Sequence, residues 1–151
     1  MKRSLLTAIL ISGFFGAFAF SEEHSQNASP EVLVRELYKI HETKKDPFAQ
    51  PKARLGNYFD KTLLSLYLKD TAGGEVGKLE FDPLYHAQDF EIKDLAIAVV
   101  TQQKDSAEVA ASFKNIGKSE RILFSLSLTE HGWRVSDIKY SDGRTLKGIL
   151  K

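Results

Sequence analysis

The chain has 151 residues, a formal charge of +1 at neutral pH, 42% hydrophobic residues and no cysteine. That length suits one ordinary domain built round one core. The near balance of charge argues against a nucleic-acid partner, which needs many phosphates neutralised. The missing thiols exclude disulfide staples, thiolate zinc sites and lipid attachment to an N-terminal cysteine.

Residues 1–21 read as a secretory signal peptide. Lys2 and Arg3 supply a basic start, Leu5 to Phe20 an apolar run of 16 residues, and Ala17-Phe18-Ala19 a small-x-small cleavage site,. A membrane-spanning helix needs about 20 predominantly apolar residues, and this run is diluted by Thr7, Ser12, Gly13 and Gly16. Cleavage after Ala19 or after Ser21 fits equally well. The expected product is an exported, soluble chain without a stable membrane anchor. Loss of Lys2 and Arg3 moves its charge to about −1. Residues 22–28 are polar and read as a disordered spacer, so 29–151 is the single domain.

Ser29-Pro30-Glu31 opens a helix, with serine as N-cap, proline at the first helical position and an acid facing the positive dipole end,. Leu33, Leu37 and Ile40 recur at helical spacing with Val34, Tyr38 and His41 on the adjoining stripe, and Asp46-Pro47 stops the run,. A second helical region spans about Lys52 to Lys69, broken near Asp60, which can cap a fresh helix; Gly73-Gly74 ends it,.

From Glu91 the period changes to two. Leu95 to Val100 is apolar on both faces and predicts a central strand,. Val109, Ala111 and Phe113 mark a second strand, Asn115-Ile116-Gly117-Lys118 a turn, Phe124, Leu126 and Leu128 a third strand, and His131-Gly132 a tight hairpin,. In the last strand Trp133 and Val135 are odd-numbered, whereas Ile138 and Tyr140 are even. One extra residue near Ser136-Asp137 would keep all four on the core face, which predicts a β-bulge. Helices followed by an antiparallel meander make an α+β domain.

Several segments carry a family resemblance: Ser29-Pro30-Glu31, Tyr58-Phe59, Leu79-Glu80-Phe81-Asp82-Pro83-Leu84 with Ala87-Gln88-Asp89, Gly132-Trp133-Arg134-Val135 with Asp137-Ile138, and Asp142-Gly143-x-x-Leu146. In these the chain resembles the bacterial exported family called domain of unknown function 3828, within the nuclear transport factor 2-like superfamily. The resemblance implies a cone-shaped (nuclear transport factor 2-like or cystatin-like) arrangement of N-terminal helices packed into a curved antiparallel sheet. It also implies a periplasmic location; the signal alone would equally fit secretion to the medium. Related folds often dimerise through the sheet, so a homodimer is among the expected assemblies.

The candidate binding residues lie mostly in the loop from Thr71 to Phe90, which is long for a plain connection,. Asp82, Tyr85, His86 and Asp89 could face a ligand or partner; the competing reading gives Asp82 and Asp89 local turn and backbone work. Tyr58, Tyr67 and Asp137 could join them in lining a cone. The superfamily includes isomerases and dehydratases with an acid or base in such an interior. No paired-carboxylate or nucleophile spacing supports a catalytic set here, and fold analogy alone is a weak guide to function. No catalytic residue, metal ligand or cofactor is therefore assigned. Two expectations stand: a non-catalytic binding or accessory protein that engages another envelope or exported protein, or a cone pocket for a small amphipathic molecule, acting as a carrier or as an isomerase- or dehydratase-like enzyme.

Overall fold

The computed structural model describes residues 29–43, 48, 52–72 and 77–151. The signal segment, the spacer, Asp46-Pro47 and Gly73-Gly74 lie outside them.

Helix α1 spans Pro30–Glu42. Ser29 is its N-cap through extended backbone geometry and makes no side-chain capping bond. Pro30, with φ already near the helical value, brings no unpaired amide to the first turn, and the Val32 amide donates to the Ser29 carbonyl at 3.0 Å,. The buried face is Val34, Leu37 and Tyr38. This corrects the expected stripe: Leu33 and Ile40 sit at its margins, only partly covered.

Helix α2 (Lys52–Leu55) is a single turn, and α3 (Lys61–Thr71) starts at the expected break. The Asp60 carboxylate accepts the Leu63 amide at 2.7 Å, satisfying a donor that the helix cannot,. A short helix, α4 (Leu146–Leu150), closes the chain.

The sheet is an open antiparallel meander in the order β1-β2-β3-β4. Its strands are β1 (Ile92–Gln102), β2 (Ser106–Asn115), β3 (Lys118–Thr129) and β4 (Gly132–Lys139). The expected bulge is present: Ser125 faces Asp137 while Leu126 faces Val135, leaving Ser136 extra. Trp133, Val135, Ile138 and Tyr140 are consequently all buried. The outer edge of β4 is covered by the segment leading into α3, where the Val135 amide donates to the Tyr58 carbonyl and the Asp60 amide to the Val135 carbonyl.

The expectation of a central first strand is overturned, because β1 is an edge. Of its apolar residues only Ile97 is buried. The alternate side carries alanines, whose small exposed area costs little, and Val100. Register shifts at Lys93/Ala96 and Val99/Thr101 break the edge, and Asp94 adopts φ 58° within the first. Arg35 Nη2 donates to the Ile97 carbonyl at 2.6 Å, occupying an acceptor on that strand. Bulges and a nearby charge are how open sheets discourage pairing with other chains.

Candidate functional site

Three of the expected residues, Asp82, Tyr85 and His86, come together in one packed corner. Asp82-Pro83 makes a turn held by the Asp82 side chain, whose Oδ1 accepts the Leu84 amide at 2.8 Å,. The Asp82 carbonyl accepts the amides of Tyr85 and His86, and its own amide donates to the Ala87 carbonyl. This places Leu84 and Tyr85 in the core. The Tyr38 hydroxyl donates to the Leu84 carbonyl at 2.7 Å. The second carboxylate oxygen of Asp82 lies 2.5 Å from Nε2 of His41 on α1. His41 packs edge-on to Tyr85 and beside Phe90.

His86 faces the other way. Its ring stacks on Tyr140 at 4.5 Å, and Nε2 lies 3.3 Å from Oδ2 of Asp142 and 3.2 Å from Nη2 of Arg144. Arg144 also donates to Asp142 and lies over the Phe81 ring. The corner thus joins α1, residues 79–90 and the turn after β4.

Its chemistry is that of a clamp. Both Asp82 oxygens are engaged. Burial, reinforced by the Asp82 charge, pushes the Tyr85 phenol up to about 12. Burial also raises the phenols of Tyr38 and Tyr140 well above the usual tyrosine range. All three hydroxyls therefore stay protonated at neutral pH. Among the described residues the buried Tyr140 hydroxyl has no hydrogen-bond partner.

The other expected residues are dispersed. Asp89 is exposed, and its carbonyl accepts from Asn115 Nδ2. The Tyr67 hydroxyl donates to the Phe48 carbonyl at 3.0 Å, within an aromatic group that includes Phe59. Asp137 Oδ1 accepts the amides of Ile138 and Lys147, tying the bulged strand to α4. Tyr58 lies in a small cleft of about 100 Å³ between α1 and the β3–β4 hairpin, with Val32, Glu36, His131 and Trp133. Its hydroxyl donates to Glu36 at 3.3 Å, and burial together with that carboxylate raises its pKa.

A second, open cleft of about 540 Å³ adjoins the first, lined by Phe59, Asp60, Lys61, Glu130, His131 and Arg134. Arg134 separates the two, donating to the carbonyls of Gly56 and Trp133. Sequence reasoning missed Arg134, because the acceptor that positions it is 78 residues away. Among the described residues no group of three or more His, Asp or Glu side chains is placed to hold a metal ion. No described helix is long and apolar enough to cross a membrane.

No family model matches the chain, and neither does any curated protein. Solved structures do. A chain of the type VI native effector–immunity complex Tae3–Tai3 from Ralstonia pickettii is similar, with a TM-score of 0.53 and 17% identity over 75% of this chain and 95% of that one. The phospholipid-binding protein from Ralstonia solanacearum, solved with a phospholipid, is similar with a TM-score of 0.50 and 11% identity over 82% of this chain and 83% of that one. At these identities the likeness is one of fold: an α+β domain with helices on an open antiparallel sheet.

Proposed function

We propose that this is an exported, periplasmic, non-catalytic binding protein of the domain of unknown function 3828 type, with a nuclear transport factor 2-like cone whose interior is filled. Its partner is another protein of the envelope or an exported protein, bound at the surface. The observation that carries this reading is the packing between helices and sheet. Tyr38 meets Tyr85 and Phe124 edge-on at 5.6 and 6.1 Å, and Tyr85 meets Phe113 at 5.7 Å. Aromatic rings at those spacings are in contact, which is how a core is filled and not how a lipid-sized pocket is lined. The candidate residues inside it are spent on internal partners. Membership of one similar structure in a protein–protein complex agrees with the reading.

The second reading, a site for a small amphipathic molecule, draws on the open cleft beside Arg134 and on the phospholipid bound by the other similar protein. One pair of measurements separates the two. The tagged chain, purified after export, is used to capture proteins from envelope extract, and the same preparation is extracted with organic solvent for mass spectrometry. Enrichment of a defined protein with no stoichiometric lipid is the expected result. A lipid recovered at one per chain, with no protein enriched, would overturn the proposal in favour of the pocket.

A further inference from the structure

The turn between β2 and β3 contains an anomaly. Ile116 and Gly117 have φ values of 48° and 79°. Two positive φ values in a two-residue hairpin define a type I′ turn, whose first position is filled by Asn, Asp or Gly. A β-branched residue there is strained, since its Cβ substituents crowd the backbone. Among the described residues the two other non-glycine residues with positive φ are His86 and Asp94. Each uses its side chain within the chain: His86 stacks on Tyr140, and Asp94 pairs with Lys114 at 2.8 Å. Ile116 instead points its side chain outward, 62% exposed. Among the described residues the Ile116 side chain belongs to no part of the packed core that would offset the strain.

The segment that carries Phe90 is bonded to this turn. The Ile116 amide donates to the Glu91 carbonyl, the Glu91 amide to Asn115 Oδ1, and Asn115 Nδ2 to the Asp89 carbonyl. Residues 89–91 are thereby fastened to the turn. The Phe90 ring packs on Tyr85 and His41, with centroids 4.5 and 5.5 Å apart, yet Phe90 remains 43% exposed. Two large apolar side chains on rigid support, already in place before any encounter, are what an interface anchor requires.

The charges around them choose the occupant. Lys93 pairs with Glu91 at 2.6 Å and Lys114 with Asp94, while Asp89 and Lys118 add one charge of each sign. An anionic bilayer selects clustered lysines and arginines. A rim of both signs matches the polar border of a protein interface. We infer that Phe90 and Ile116 are the anchor by which this chain docks an envelope or exported protein, with Ile116 entering an apolar recess bordered by charges of both signs. This inference rests on the protein-binding reading above and assigns its surface.

The test uses the full chain, expressed with its leader and purified in the form the cell leaves it. Wild type is compared with Ile116→Asn, Phe90→Ser and the control Val100→Ser, which removes a 45% exposed apolar residue elsewhere on the sheet. Ile116→Asn should relieve the turn and raise the Tm by about 3–5 °C for a domain of this size. A protein captured from envelope extract and then purified should bind Ile116→Asn and Phe90→Ser at least about tenfold more weakly, and Val100→Ser as wild type. A captured protein that binds all four equally overturns the anchor and leaves the protein-binding reading intact. Capture of nothing removes both. A lower Tm for Ile116→Asn refutes the strain argument. Ile116-dependent binding to vesicles of phosphatidylethanolamine and phosphatidylglycerol would make the occupant a bilayer, and Ile116-dependent self-association in sedimentation would make it a second copy; either overturns the inference.

Discussion

Replacing Asp82 by alanine removes two acceptors from one partly buried carboxylate. The first serves His41 at 2.5 Å, and the second the amide of Leu84, a residue with no exposed surface. A hydrogen bond to a charged group contributes about 1.5–3 kcal/mol, and a buried amide left unpaired costs about 1–3 kcal/mol. Asp82→Ala should therefore destabilise the domain by about 3–5 kcal/mol, against a usual total of about 5–15 kcal/mol. Asp82→Asn retains a carbonyl oxygen for the Leu84 amide and loses only the charge facing His41, so about 1–2 kcal/mol is expected. The assay is urea unfolding at pH 7, followed by the fluorescence of Trp133, the one tryptophan. Combination with His41→Ala isolates the pair, and the cycle should show coupling of about 1 kcal/mol or more. If Asn and Ala cost the same within about 0.5 kcal/mol, the turn is not held as described. If Asp82→Ala leaves stability unchanged and abolishes capture of a partner, the carboxylate is a recognition group and the clamp is the wrong account.

Alkaline pH probes the buried phenols. The folded-state pKa values of Tyr38, Tyr85 and Tyr140 all lie above the ordinary 10.0, with Tyr85 at about 12. Their contribution is complete below pH 10 and is lost as pH rises toward and beyond 12, so the urea midpoint should fall steeply over that window, and less steeply in Tyr85→Phe. Tyr140→Phe removes a buried hydroxyl with no partner among the described residues and should raise stability by about 0.5–1 kcal/mol by urea titration,; a loss greater than about 1 kcal/mol would mean the hydroxyl is partnered. Arg35→Ala uncovers the Ile97 carbonyl on the edge strand. Its expected phenotype is concentration-dependent association in sedimentation velocity, and a strictly monomeric variant would show that the two bulges protect the edge unaided.

Much of the fold was legible because its signals are local. The parity slip between Val135 and Ile138 contains the bulge, since a strand must keep one face inward,. Asp60 announces a cap wherever its helix is placed. The first strand was misread because apolar alternation reports hydrophobicity and not position: Ala96 and Ala98 look alike on an edge and in a centre, and the residue that marks the edge, Arg35, belongs to another element 62 positions away. The candidate corner was half legible. That Asp82 would hold its own turn follows from Asp-Pro chemistry. That His41 would meet its other oxygen, and that His86 would stack on Tyr140, depends on separations of 41 and 54 residues that no spacing rule covers. The opposite case is Ile116, where the turn was evident but the handedness of its backbone, on which the inference rests, was not.

The order of the sheet bears on how the chain comes to exist. Each strand pairs with its neighbour in sequence, so every hairpin can close as soon as its second arm is made. The N-terminal helices enjoy no such privilege. The bonds tying them to the rest run from Tyr38 to Leu84, Arg35 to Ile97 and Gly56 to Arg134, spanning 46, 62 and 78 residues. Synthesis proceeds from the N-terminus, so α1 is finished first and finds its resting place late. Until the meander arrives, Val34, Leu37 and Tyr38 face water as a greasy stripe on a helix of 13 residues, a length marginally stable alone,. A chain so arranged cannot bury that stripe while it is incomplete, and does so once its C-terminal half is present.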